Sequence, residues 1–116
     1  MSKLPVLKSN YEFRKVYAKG RYAVSASLVM YVLKNRTDKI RIGITTSKKI
    51  GKSVKRNRIR RLIRENIRLL FAELRQGIDL IIVARKADPD ADFFSIGKET
   101  RYLIKKLDVL NKEIEP

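Results

Sequence analysis

At 116 residues, with 44% apolar and 8% aromatic side chains beside 34% charged ones, the chain suits a single domain over residues 1–116, with core enough to exclude wholesale disorder. It contains neither Cys nor His, which excludes disulfides, thiolate nucleophiles, zinc knuckles and imidazole bases, and its apolar runs are too short for a membrane span. The 28 Lys and Arg against 12 Asp and Glu give a net charge of +16, far more than solubility requires, which points to a polyanionic partner.

From the N-terminus, residues 1–6 lack the hydrophobic region of a signal peptide, so a cytoplasmic location is expected. Ser9-Asn10-Tyr11-Glu12 has the spacing of a capping box and predicts a short helix, with Phe13, Val16 and Tyr17 on one face and Gly20 at its end. Residues 28–33 read as a strand, Asn35-Arg36-Thr37-Asp38 as a turn, and Ile40, Ile42 and Ile44 alternating with Arg41, Gly43 and Thr45 as the second strand of a hairpin. From the N-cap candidate Ser53 to about Arg75, Ile59, Leu62, Ile63, Ile67, Leu70 and Leu74 keep helical spacing, and Gly77 closes this longest helix. Residues 79–84 form an unbroken β-rich run, as a central strand covered on both faces would. After the turn at Asp88-Pro89-Asp90, Phe93, Ile96, Leu103, Ile104, Leu107 and Leu110 mark a last amphipathic helix. The order α-β-β-α-β-α predicts an α+β fold, a two-layer sandwich of helices on a mixed sheet.

The charge is uneven. Residues 1–68 hold 20 basic and three acidic side chains, and residues 48–68 alone hold ten basic and one acidic. On the long helix Asn57, Arg61, Arg64 and Arg68 share a stripe opposite the apolar face, with Arg58 and Arg60 beside it and Arg56 nearer the core. Lys48, Lys49, Lys52 and Lys55 lead into it. Such crowding is self-repulsive, so a partner must neutralise it, and the guanidinium fork suits phosphate. Gly51-Lys52-Ser53 imitates the end of a phosphate-binding loop, but Thr46 stands where its first glycine belongs. Asp88, Asp90 and Asp92 are the only close set of acids, and helix capping explains them better than a metal site.

Arg41-Ile42-Gly43-Ile44, Ser47-Lys48-Lys49 and Arg56-Asn57-Arg58-Ile59-Arg60-Arg61-Leu62-Ile63-Arg64-Glu65, in that order and spacing, resemble the bacterial ribonuclease P protein subunit over nearly the whole chain. The resemblance implies a fold like the second domain of a small-subunit ribosomal protein, with a left-handed β-α-β crossover where general chirality would favour a right-handed one. It implies an RNA subunit that carries the catalytic centre, one protein per RNA, and no catalytic residue on the protein. Magnesium would be held mainly by the RNA and the substrate, and by no protein site alone. By the same resemblance Lys48, Lys49, Lys52, Arg56, Asn57, Arg58, Arg60, Arg61, Arg64 and Arg68 would bind that RNA. Lys8, Phe13, Tyr17, Tyr31 and Ser47 would border a cleft for the single-stranded 5′ leader of precursor tRNA. Stacking on aromatic rings suits a single strand, although spacing alone also allows Phe13 and Tyr17 as ordinary helix packing. Val6, Ala26 and Leu28 depart from the family's pattern at the leader end.

Three other classes compete. A ribosomal or other structural RNA-binding protein would carry the same charge without a cleft, and a protein-only nuclease would need clustered carboxylates. A DNA-binding helix-turn-helix would need a second helix where residues 79–84 read as a strand.

Overall fold

A computed structural model describes residues 4–86 and 89–110. Helix α1 (Asn10–Lys19) starts at Ser9, whose hydroxyl accepts from the Glu12 amide while the Glu12 carboxylate accepts from the Ser9 amide, the expected capping box. Strands β1 (Arg21–Val24), β2 (Leu28–Lys34) and β3 (Arg41–Thr46) follow. Then come α2 (Ser53–Leu70), β4 (Ile78–Ala84) and α3 (Phe93–Lys106). The sheet order is β1-β2-β4-β3. β1 pairs antiparallel with β2 and β2 with β4, while β3 and β4 are parallel and joined through α2.

β4 is central and buried on both faces, which accounts for its unbroken apolar sequence. Leu80 and Ile82 enter the main core with Leu28, Met30 and Ile42, beneath Ile59, Ile63 and Ile67 of α2 and Ile96, Leu103 and Ile104 of α3. Ile81 points the other way, into a smaller cluster with Leu7, Val16 of α1, Phe13 and Tyr31. The class is therefore α+β with a mixed sheet, but α1 stands alone on one face and α2 and α3 share the other, which adds a third layer to the expected two.

Four expectations need correction. The hairpin is made by β1 and β2, a four-residue strand that the sequence reading passed over, while β2 and β3 lie on either side of β4 and do not pair. The turn after β2 is nonetheless real: the Asn35 side-chain oxygen accepts from the amide and hydroxyl of Thr37, so local chemistry marked the bend without revealing which strand it served. Helix α2 is capped by Lys52, without a side-chain bond, and Ser53 is its first residue. It ends at Leu70 in a 3-10 turn (Phe71–Glu73) rather than running to Arg75, because Leu74 turns into the core and bridges to Leu110. Leu110 thus belongs to that bridge and not to α3, whose end at Lys106 is followed by Asp108 in the left-handed region. Of the three close aspartates, Asp92 caps α3 through the Ser95 amide at 2.8 Å, and Asp88 lies outside the described residues.

Candidate nucleic-acid interface

On α2 the apolar stripe Ile59, Leu62, Ile63 and Ile67 is buried, which forces the remaining positions outward. Asn57, Arg58, Arg61 and Arg68 are exposed, and Arg60 and Arg64 are partly so. Asn57, Arg58, Arg60, Arg61 and Arg64 line one depression of about 540 Å³. The face is partly self-ordered, since Arg60 donates to the Asn57 side-chain oxygen and reaches the Thr46 hydroxyl at 3.5 Å. Arg58 does more than flank the stripe: it donates to the Ala91 carbonyl at 2.6 Å and ties α2 to the approach to α3. Arg56 is half-buried with its Nε unpartnered. Exposed Lys48 and Lys49 sit in a short 3-10 turn (Lys48–Ile50) that Ser47 caps by accepting from the Lys49 amide. With Lys52 at the cap and no acid in the first turn, these cations add to the positive end of the helix dipole instead of offsetting it. The result is a concentrated positive field that an anion relieves.

A second arrangement lies on the opposite face of the sheet. The Phe13 and Tyr17 ring centroids are 6.3 Å apart, Tyr17 meets Tyr31 edge-on at 4.9 Å, and Tyr31 lies 5.7 Å from Tyr22. Tyr22 and Tyr31 are cross-strand partners, which is why their rings share a face. Asn10, Phe13, Arg14, Tyr17, Ile44 and Thr45 line a groove of about 570 Å³ between α1 and β3. Burial pushes the Tyr17 hydroxyl above the ordinary tyrosine range, and Tyr31 adds to this, so it stays protonated. The structure thus brings Phe13, Tyr17 and Tyr31 together as one row, whereas Lys8 and Ser47 are not among the residues lining the groove. Tyr22, Asn10 and Arg14 were missed. Tyr22 could have been found only by recognising β1 and its register on β2.

What holds α1 over the sheet is a charged cluster that the sequence reading also missed. Arg41 on β3 donates to both oxygens of Asp79 on β4, each at 2.8 Å, and to the second carboxylate oxygen of Glu12 on α1. Asn35 completes the pairing of Asp79 at 2.9 Å. Backbone hydrogen bonds from Ser9 and Lys8 hold the Glu12 carboxyl below its usual range, with Arg41 contributing, and the Asp79 hydrogen bond raises Arg41. The visible signal was Asp79, a lone acid opening an otherwise apolar strand.

The family Ribonuclease P matches residues 1–108 of the chain. Among curated relatives, the ribonuclease P protein component of Clostridioides difficile is 44% identical over 104 residues, covering 89% of this chain and 91% of that protein. That of a Thermoanaerobacter species is 45% identical over 104 residues, covering 90% of each. The solved structure of the Staphylococcus aureus RNase P protein superposes with a TM-score of 0.84 at 33% identity, covering 94% of this chain and all of that one.

Proposed function

The chain belongs to the ribonuclease P protein family and is a protein subunit of that endoribonuclease, and we propose the following division of labour for its surfaces. The guanidinium face of α2, with Lys48, Lys49 and Lys52, binds the RNA subunit, whose phosphates relieve the repulsion along the helix. The ring row Phe13, Tyr17 and Tyr31, now with Tyr22, holds the single-stranded leader of precursor tRNA. Lys8 and Ser47 contribute from the margins.

The RNA subunit carries the chemistry. Among the described residues no three acidic side chains converge as metal ligands. Any magnesium the cleavage requires would be held mainly by the RNA and the substrate, as the family resemblance implies. One protein per RNA, acting in the cytoplasm on precursor tRNA and on neither DNA nor membranes, completes the reading. Among the described residues no helix is long and apolar enough to cross a membrane.

The observation that carries this reading is the placement of an arginine-rich helix and a row of aromatic rings on opposite faces of one sheet. A structural RNA-binding protein has use for the arginine face and none for a groove beside a row of rings. The test is cleavage of a precursor tRNA by a bacterial ribonuclease P RNA at low magnesium, with and without this protein. Stimulation is expected. Unchanged cleavage would overturn the proposal.

A further inference from the structure

The groove lined by Phe13 and Tyr17 lies on one flank of α1. On the other flank is a second cavity, of about 420 Å³, bordered by Tyr11 and Lys15 of α1, by Lys34 at the end of β2 and by Arg36 in the turn that follows, with Arg41 and Asp79 within it. Its charge balance is unusual. Both acids at this place, Glu12 and Asp79, are consumed by Arg41. Lys15, Lys34 and Arg36 are exposed and form no ion pair among the described residues, so the cavity presents three uncompensated cations. Tyr11 stands beside them with 69% of its surface exposed. An exposed ring next to converging cations fits a nucleotide of a single strand, in which a base face is free to stack and a phosphate needs a counter-charge. A duplex offers cations the same phosphates but withholds the base face from Tyr11.

The cavity is also in line with the ring row. Leu33 lines it and sits two residues along β2 from Tyr31, on the same side of the sheet and about 7 Å on. A strand of RNA lying over Tyr22 and Tyr31 therefore reaches Leu33, and with it the mouth of the cavity, by continuing along β2.

We propose that this cavity holds a nucleotide of single-stranded RNA, a leader residue beyond those in the ring channel, with its base on Tyr11 and its phosphate between Lys15, Lys34 and Arg36. The proposal rests on the leader reading of the ring channel. It adds a binding subsite and a preference for longer leaders.

The test measures holoenzyme affinity for three tRNAs: mature tRNA, a precursor whose leader fills only the ring channel, and a precursor with a longer leader. Tyr11→Ala and the double variant Lys34→Ala, Arg36→Ala should each lose about fivefold or more on the long leader. Neither should lose affinity for the other two tRNAs, and because the side chains are exposed the melting temperature should hold. Equal losses on all three tRNAs would assign the cavity to the RNA subunit and overturn the proposal, as would no loss on any. Tyr17→Ala keeps the two readings apart. If it fails to separate leader-bearing from mature tRNA, the ring channel is wrong. If it does separate them while the Tyr11 and Lys34/Arg36 variants show no dependence on leader length, only the added subsite is wrong.

Discussion

A Cβ built on Gly43 would sit 2.7 Å from the Phe13 ring, so the floor of the groove is shaped by a missing methyl group. Gly43→Ala should push that ring off β3, costing about 1–3 kcal/mol of stability, as overpacking does, and weakening leader binding together with it. Thermal melts and leader-tRNA affinity on the same variant check both. The neighbouring Tyr17 is exposed enough to be removed without harm to the core. Tyr17→Ala should therefore weaken a leader-bearing precursor by roughly fivefold or more and leave mature tRNA unaffected. Equal losses would show that the row is packing alone. Arg41 is of a different kind, because its loss strands the buried carboxylate of Asp79. Arg41→Ala should cost about 2 kcal/mol, less than for a fully buried pair since a third of the Arg41 side chain is exposed, as denaturant titration would show.

Helix α2 is the element most legible from sequence, because Ile59, Leu62, Ile63 and Ile67 keep one period and the arginines the complementary one. That separation makes a sharp prediction. Arg64→Ala and Arg68→Ala should each lower the log–log salt slope of RNA binding by roughly 0.7–0.9 while leaving the melting temperature nearly unchanged. Unfolding of either variant would mean the face is misassigned. The limits of such reading show at the same helix. Its C-terminal end is not legible, because Leu74 continues the apolar spacing and only the long-range bridge to Leu110 tells it from a further turn. Strand partners were hidden for the same reason. The bend at Asn35 is local, but the insertion of β4 between β2 and β3 depends on residues some forty positions on. In the groove, Phe13 and Tyr17 were legible through i, i+4 spacing, and Asn10 and Arg14 continue the same face of α1, whereas Tyr22 joins the ring row through a strand pairing that no local pattern encodes.

At the scale of the molecule, one partly buried carboxylate joins the β1–β2 hairpin to α3. Burial pushes the Glu99 carboxyl up, but hydrogen bonds from the Ser25 and Ser27 hydroxyls and the Ser27 and Leu28 amides outweigh this and hold it below its ordinary value of 4.5. A lowered folded-state value means that the stabilisation is complete above 4.5 and fades as pH falls through the folded value. The melting temperature should accordingly drop below pH 4.5, and Glu99→Gln should flatten that drop in acid melts. The central position of β4 has a consequence for biosynthesis. A ribosome delivers β1, β2, β3 and the whole of α2 before it delivers the strand on which β2 and β3 both depend. Until residue 84 emerges, what exists outside the tunnel is a hairpin, an unpaired strand and a basic stretch, residues 48–68, with ten cations against one acid. Folding is thus postponed to the last third of translation, and the nascent chain meets cellular RNA as a charged polymer before it meets it as a shaped surface.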